Sequence, residues 1–247
     1  LILAQRDGVI DKGTTDSKDA VTDADLIILC LYPKLNVDFV KENLKYIKSG
    51  AIITDVSGIK GYVIEEINKV LPDDIDFIGG HPMAGREVGG YESSTDTLFE
   101  KASYLITPTE RNKPENIALI RELAEHIGCK HIVTTTAQEH DAIIAYTSQL
   151  MHIVAAALCD NECLDSSEAY SAGSLRDCTR VAKLDPEMWS ELFCENREAL
   201  AEQIEIFSNS LKTIEKFVKD GDREGIKKYL KNTSDRKRRY LAENKKQ

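Results

Sequence analysis

The sequence predicts an α/β fold in which a partial doubly wound parallel sheet at residues 1–137 is followed by an all-helical domain at residues 138–247. Two observations lead to this prediction. Up to about residue 137, short continuous apolar runs alternate with amphipathic segments, as expected for buried parallel strands joined by helices. From Gln138 onward no strand is convincing, and apolar residues recur at helical spacing instead.

The elements of the first domain follow in order along the chain. A helix end at residues 1–6 closes near Gly8. Strands are predicted at 24–31, 51–56, 75–78, 104–107 and 131–135, with helices at 37–47, 62–70 and 115–127. Right-handed crossovers bring the carboxyl ends of parallel strands to one edge, where open α/β sheets bind their ligands. The residues expected at that edge are Tyr32, Asp55, Ser57 and His81.

The helical domain contains one long predicted helix, which begins at Glu187. Its apolar residues recur every three or four positions and form an apolar seam of Leu200, Ile204, Phe207, Leu211, Ile214 and Val218. Such a seam is typical of a helix that packs in a core or at a subunit interface.

Composition narrows the classes of function. The net charge of -10 disfavours nucleic acid or an anionic membrane as a partner, so a small anionic substrate would need local positive charge. The six cysteines include no CxxC pair, which favours reduced thiols in a cytoplasmic protein without a metal site. The apolar stretch 142–158 contains Thr147, Ser148, Gln149 and His152, and it predicts a buried helix rather than a membrane span.

Residues 78–90 hold five glycines and a proline around one histidine, His81. Glycine permits close backbone approach and proline stiffens a turn, so this composition predicts a loop that fixes one imidazole at a strand end. A structural turn with a surface histidine is the alternative. The glycine density and the nearby Glu87 favour the functional interpretation.

Two segments resemble the prephenate dehydrogenase family. One is His81-Pro82-Met83-Ala84-Gly85-Arg86-Glu87 with Gly89-Gly90, and the other is Ser174–Ala182 with Asp185–Trp189. The resemblance covers roughly residues 8–220. It implies a Rossmann-like nucleotide domain, a homodimer, and NAD- or NADP-dependent oxidative decarboxylation of prephenate to 4-hydroxyphenylpyruvate in tyrosine biosynthesis, with NAD favoured. An arogenate dehydrogenase, or a non-catalytic dimerising module that has lost nucleotide binding, stays open.

The resemblance also implies roles for individual residues. His81 would accept the proton of the substrate's ring hydroxyl, and Arg180 would grip a carboxylate bidentately. The other predicted substrate contacts are His152, Ser57, Glu87, Gly173 and Trp189, and the predicted cofactor contacts are Tyr32, Pro33 and Asp55. Trp189 is equally well explained as a core aromatic residue, and a core histidine is the less favoured alternative for His152.

Three features depart from the family pattern. The family's strand-end serine falls one residue later, at Gly58, and its His-Leu-Pro-His is replaced by Gln149-Leu150-Met151-His152. No G-x-G-x-x-G occurs, although such a turn normally holds the dinucleotide pyrophosphate. We therefore expect the chain to lack the first strand, phosphate loop and second strand, and to bind NAD or NADP weakly by itself.

Overall fold

The computed structural model describes residues 1–86 and 89–244. The chain divides into two compact units, residues 1–200 and 201–247. The first unit contains the sheet, the cavity described below and most of the helices. The second contains the greater part of one long helix and the whole of another.

The sheet has five strands in the order β1-β2-β3-β4-β5. They are β1 (Leu26–Leu29), β2 (Ile52–Asp55), β3 (Asp76–Pro82), β4 (Ser103–Thr107) and β5 (His131–Thr134). The helices before and among them are α1 (Ile2–Arg6), α2 (Ser17–Val21), α3 (Pro33–Asn43), α4 (Gly61–Asn68) and α5 (Pro114–His126). Each strand and helix predicted for the first 137 residues is confirmed, and α2 is added.

The direction of the sheet reverses at β4. Strands β1, β2 and β3 are parallel, whereas β4 runs antiparallel to β3 and β5 runs parallel to β4. The prediction of a parallel sheet is therefore wrong at this one pairing. A parallel return needs a crossover, usually a helix. Between β3 and β4 the described residues form one short 3₁₀ helix, Tyr91–Ser93, and turns, but no α-helix.

Strand β3 extends further than predicted and includes Gly79, Gly80, His81 and Pro82. These residues pair with Thr107 back to Tyr104 on β4, so the prediction of a loop is wrong for them. The glycines serve close packing instead of a turn. A Cβ at Gly79 would overlap the Thr107 hydroxyl, and one at Gly80 would overlap the hydroxyl of Tyr104.

The core lies on both faces of the sheet. One cluster packs α3 and α4 against β1–β3 through residues such as Val37, Ile53, Val63, Ile67 and Phe77. A second packs α5 against the other face through Ile78, Tyr104, Ile106 and Ile120. All six cysteines are free thiols.

The region after β5 is helical, as predicted. Its helices are α6 (Ala137–Ile144), a π-helical segment (Ala145–Gln149), α7 (Leu150–Cys159), α8 (Gly173–Thr179), α9 (Pro186–Glu195), α10 (Arg197–Lys219) and α11 (Arg223–Asn244). Thr136 and Glu139 begin α6 with a reciprocal capping box. The change from strands to helices thus occurs near residue 137, although a domain boundary at this position stays a prediction.

Helix α6, the π-helical segment and α7 form one helix of 23 residues, Ala137–Cys159. Its length and composition are sufficient to cross a membrane, and 28% of its apolar window is buried. The expected buried helix is therefore only partly buried, because one side alone packs on the rest of the unit. Ile143 and Tyr146 are 59% and 57% exposed.

The single helix predicted from Glu187 is two helices, α9 and α10, separated at Asn196. Asn196 is buried, and its side-chain amide donates to the backbone oxygen of Asp141 (2.9 Å) and to Gln149 Oε1 (2.8 Å). These bonds turn the residue inward and interrupt the helix. Farther along α10, in the second unit, Leu211 and Val218 of the apolar seam are 50% and 62% exposed.

Candidate functional site

A cavity of about 540 Å³ lies at the carboxyl end of β3 in the first unit. Four of the predicted site residues line it together, namely His81, His152, Arg180 and Trp189. The remaining walls come from Gly58, residues 82–86, the inner side of the 137–159 helix, and residues 181–192. The cavity therefore joins the end of the sheet to the first helices of the helical region.

His81 is held at the end of β3 by its strand pairing with Leu105. Its Nδ1 lies 2.9 Å from Nε2 of His140, which is itself buried. Burial lowers the pKa of His81 well below the ordinary value of 6.5, and the positive charge of Lys60 lowers it further. His81 is therefore a neutral imidazole at pH 7, the form that accepts a proton.

Beneath His81 lies a fully buried ion pair between Lys60 and Asp55. Asp55 also accepts the backbone N–H groups of Ser57 (3.0 Å) and Gly80 (3.1 Å), so it ties β2 to β3. Burial lowers the pKa of Lys60, and the charge of Asp55 opposes that shift. The structure thus places the Asp55 carboxylate under the strand ends, and its contact with a cofactor stays a prediction.

The ends of β1 and β2 are fastened together by Asn36. Its buried side-chain amide donates to Leu31 O (3.2 Å) and to Ser57 Oγ (2.9 Å). Tyr32 and Pro33 follow Leu31 directly, at the start of α3. Ser57 is buried behind the cavity, and Gly58, at the position of the family's serine, lines the wall instead.

His152 faces the cavity from α7 and is oriented by two contacts. Its Nδ1 donates to the backbone oxygen of Ser148 (2.9 Å), which leaves Nε2 as the nitrogen available to a ligand. The ring of Trp189 stacks on it with 3.8 Å between ring centroids and 31° between the planes. Trp189 thus acts both as a packing aromatic and as a wall of the site.

Three cationic side chains line the cavity: Arg86, Arg180 and Lys183. The acidic Asp185 also lines it, but its carboxylate accepts the N–H of Met188 (2.8 Å) and caps α9. These cations lie in a chain whose net charge is -10. This arrangement provides the local positive charge that the sequence predicted for an anionic substrate.

Gly173 and Glu87 are the other two predicted substrate contacts. Gly173 begins α8 and is absent from the residues described around the cavity wall. Glu87 lies outside the described residues. Among residues 1–86 and 89–244, no group of three or more His, Cys, Asp or Glu side chains is placed to hold a metal ion.

Sequence reasoning gave no role to Arg86, Lys60 or Lys183. Arg86 stands within the His81 motif, but nothing in its local spacing indicated a role. Lys60 ends the strand-end motif that begins at Asp55. A lysine at that spacing is usually solvated, so only the fold reveals that it is buried.

An open α/β sheet with a ligand cavity at its strand ends, joined to a helical region, defines a dinucleotide-binding type of protein. Residues 2–133 match the family model described as prephenate dehydrogenase, nucleotide-binding domain. Residues 136–232 match the one described as prephenate dehydrogenase, dimerization domain. The chain belongs to the prephenate dehydrogenase family.

Individual relatives agree with this assignment. The chain is 28% identical to the prephenate dehydrogenase of Bacillus subtilis over 95% of its own length, and it spans 64% of that relative. It is 32% identical to the cyclohexadienyl dehydrogenase of Zymomonas mobilis over 86% of its length and 74% of the relative.

Among solved structures, prephenate dehydrogenase from Aquifex aeolicus in complex with hydroxyphenyl propionate and NAD+ matches with a TM-score of 0.84 and 28% identity, covering 96% of this chain and 84% of that one. Arogenate dehydrogenase from Synechocystis matches with a TM-score of 0.80 and 26% identity, covering 96% and 86%.

Proposed function

We propose that the chain catalyses the oxidative decarboxylation of prephenate to 4-hydroxyphenylpyruvate, with NAD as the favoured cofactor, in cytoplasmic tyrosine biosynthesis. The observation that carries this proposal is the neutral imidazole of His81 facing a cavity lined by Arg86, Arg180 and Lys183. A base and a cationic wall are the two features that the protein would supply for oxidation of an anionic alcohol by a nicotinamide cofactor.

His81 is the proposed base. The substrate's C4 hydroxyl loses its proton to the imidazole while C4 loses hydride, so the ring becomes a dienone. The C1 carboxylate then leaves as carbon dioxide, and the electron pair of the broken bond makes the ring aromatic. The new phenol oxygen recovers the proton from His81. Because the pKa of His81 is lowered, activity should persist to pH values below 6.5 before the base is protonated.

The cationic side chains are the proposed carboxylate ligands. Prephenate carries a ring carboxylate and a pyruvyl carboxylate, and a guanidinium group such as that of Arg180 can grip one of them bidentately. Arogenate replaces the keto group by an ammonium group and is the alternative substrate. His152 Nε2, Trp189 and, outside the described residues, Glu87 complete the proposed substrate contacts.

Residues at the ends of β1 and β2 fit the nicotinamide end of a dinucleotide. Asn36 holds these two strand ends together, and Tyr32, Pro33 and the Ser57-Gly58 segment follow them directly. NAD, when bound there, would accept the hydride from the substrate. The described residues thus support a cofactor placed by Tyr32, Pro33 and the turn after Asp55.

A homodimer is part of the proposal. The match of residues 136–232 to a dimerization domain supports it, as do the exposed apolar residues of the seam on α10. Gly173 is proposed to approach the substrate in that assembly.

The test is prephenate-dependent reduction of NAD or NADP by the full chain at high cofactor concentration. His81→Asn should lower kcat by ~10² to 10⁴, the usual contribution of general acid–base catalysis, with a much smaller change in KM. Arg180→Ala should instead raise KM about tenfold to hundredfold, since a charged hydrogen bond contributes ~1.5–3 kcal/mol. His131→Asn, at an exposed position on β5, is the control. Near-normal kcat in His81→Asn, or no substrate-dependent reduction by the unaltered chain, would overturn the proposal.

A further inference from the structure

We propose that His140 and Asp141 form a relay that fixes the tautomer and the orientation of His81, which makes His140 a positioning residue. The effect on catalysis rests on the proposed function. The arrangement of protons does not, because it follows from hydrogen bonds among side chains and backbone groups that are described in this chain.

The relay is anchored at Asp141. Its carboxylate accepts the backbone N–H of Lys60 through Oδ1 (2.8 Å) and that of Gly61 through Oδ2 (2.8 Å), where α4 begins. These two N–H donors, one to each oxygen, leave the carboxylate no freedom to rotate. The anchor therefore connects the start of α4 to α6, across 80 residues of sequence.

The next link is His140, whose side chain is 0% exposed. Its Nδ1 lies 2.7 Å from Oδ1 of Asp141. An ionised carboxylate can only accept, so His140 carries its proton on Nδ1 and has a lone pair on Nε2.

That lone pair determines the state of His81. His81 Nδ1 lies 2.9 Å from His140 Nε2, so it is the donor of this bond and must bear the proton. The unprotonated nitrogen of His81 is then Nε2, on the side of the ring away from His140. Because His81 lines the cavity, Nε2 is the atom that meets the substrate hydroxyl.

This order of protons matters because the free side chain of a neutral histidine prefers the opposite tautomer, with the proton on Nε2. In that tautomer the cavity would meet a donor instead of a base. The relay also prevents rotation of the His81 ring, which no side chain other than His140 hydrogen-bonds within residues 1–86 and 89–244. Besides the charged residues that line the cavity, Lys60, paired with Asp55, lies near His81, and Asp141 lies behind His140.

Nitrogen-15 NMR of histidine-labelled full chain tests the proposal directly. The five imidazoles are assigned by single substitutions. In the unaltered chain at pH 8, both His81 and His140 should show the Nδ1–H tautomer. His140→Phe removes the acceptor and should return His81 to the Nε2–H tautomer, whereas His140→Gln supplies an amide oxygen and should restore Nδ1–H in part. His131→Phe is the control, which should leave His81 unchanged.

Kinetics with prephenate add a second readout. His140→Phe should lower kcat about tenfold to hundredfold, the range typical of lost orienting partners, with KM little changed and His140→Gln nearer the unaltered chain. An Nε2–H tautomer of His81 in the unaltered chain would overturn the relay even if His140→Phe fails to fold. So would a folded His140→Phe chain in which the His81 tautomer is unchanged. If the tautomers are as expected but prephenate is not oxidised, the proposed function fails while the relay stands.

Discussion

Replacing Lys60 by methionine tests the buried ion pair beneath the site. Methionine keeps the apolar stem of lysine but removes the charge that pairs with Asp55. Both side chains are 0% exposed, so water cannot substitute for the missing ammonium group. Asp55 keeps two partners, the backbone N–H groups of Ser57 and Gly80.

The size of the effect follows from these contacts. Removing one partner of a buried ion pair costs about 3–5 kcal/mol, because the other charge stays buried without compensation. The two remaining N–H donors place the expected loss near the lower end, at about 3 kcal/mol. Since domains are stable by only about 5–15 kcal/mol, this is a large fraction of the free energy of unfolding.

The assay is urea unfolding followed by circular dichroism. Lys69→Met is the matched control, because Lys69 pairs with Glu65 and Glu66 on the surface of the same region and is 55% exposed. It should show little or no loss. Adding Asp55→Asn to Lys60→Met should recover much of the stability, since no unpaired charge is then buried. A Lys60→Met chain as stable as Lys69→Met would refute the argument.

Three further predictions concern packing, pH and assembly. Gly80→Ala should lower the melting temperature, because the added Cβ would overlap the Tyr104 hydroxyl. Gly89→Ala is the control and should not, because a Cβ there meets nothing within 4 Å. Equal melting temperatures for the two variants would contradict this packing. The pKa of His81 is lowered in the folded chain and is ~6.5 in the unfolded chain. Between these two pKa values the unfolded chain therefore binds more protons than the folded chain. The free energy of unfolding should therefore fall as pH drops below ~6.5, by at most ~1.4 kcal/mol per pH unit. This dependence on pH should be weaker in His81→Asn but not in the control His131→Asn. An unaltered chain whose free energy of unfolding does not change with pH would contradict the prediction. Light scattering should give a dimer at micromolar concentration, burying more than ~1,200 Å² in total, and a monomer would disprove the assembly.

Much of the fold follows from local pattern. Buried strands such as Ile52–Asp55 are apolar runs with polar residues at their ends, and the switch to helical spacing after residue 137 is equally local. The direction of β4 was not predictable in this way, because it depends on the connection from β3. The described residues of that connection form no crossover helix. Nor was the break at Asn196, where a buried amide bonds to groups about 50 residues away in sequence.

The residues of the candidate site also fall into those that a local sequence pattern reveals and those that only the fold reveals. Sequence motifs brought out His81 and Arg180, because each stands in a distinctive local segment. The contact between His81 and His140 joins residues 59 apart, and no spacing rule relates them. Glycine density also misled the prediction about Gly79 and Gly80. The same composition serves a flexible turn or a strand too crowded for side chains, and only the neighbours Thr107 and Tyr104 distinguish the two.

The π-helical segment Ala145–Gln149 gives the 137–159 helix a phase change that composition alone does not reveal. A π-turn holds one more residue than an α-turn, so the two halves of the helix are counted in different registers. Each residue of an α-helix advances about 100° around the axis. Deleting a single residue from the α-helical stretches on either side would therefore turn the residues beyond it about a quarter of the way round, whereas deletion within the π-helical segment would convert its wider turn into an α-turn. In this helix the number of residues between His140 and His152 is as much a determinant of the site as their identity.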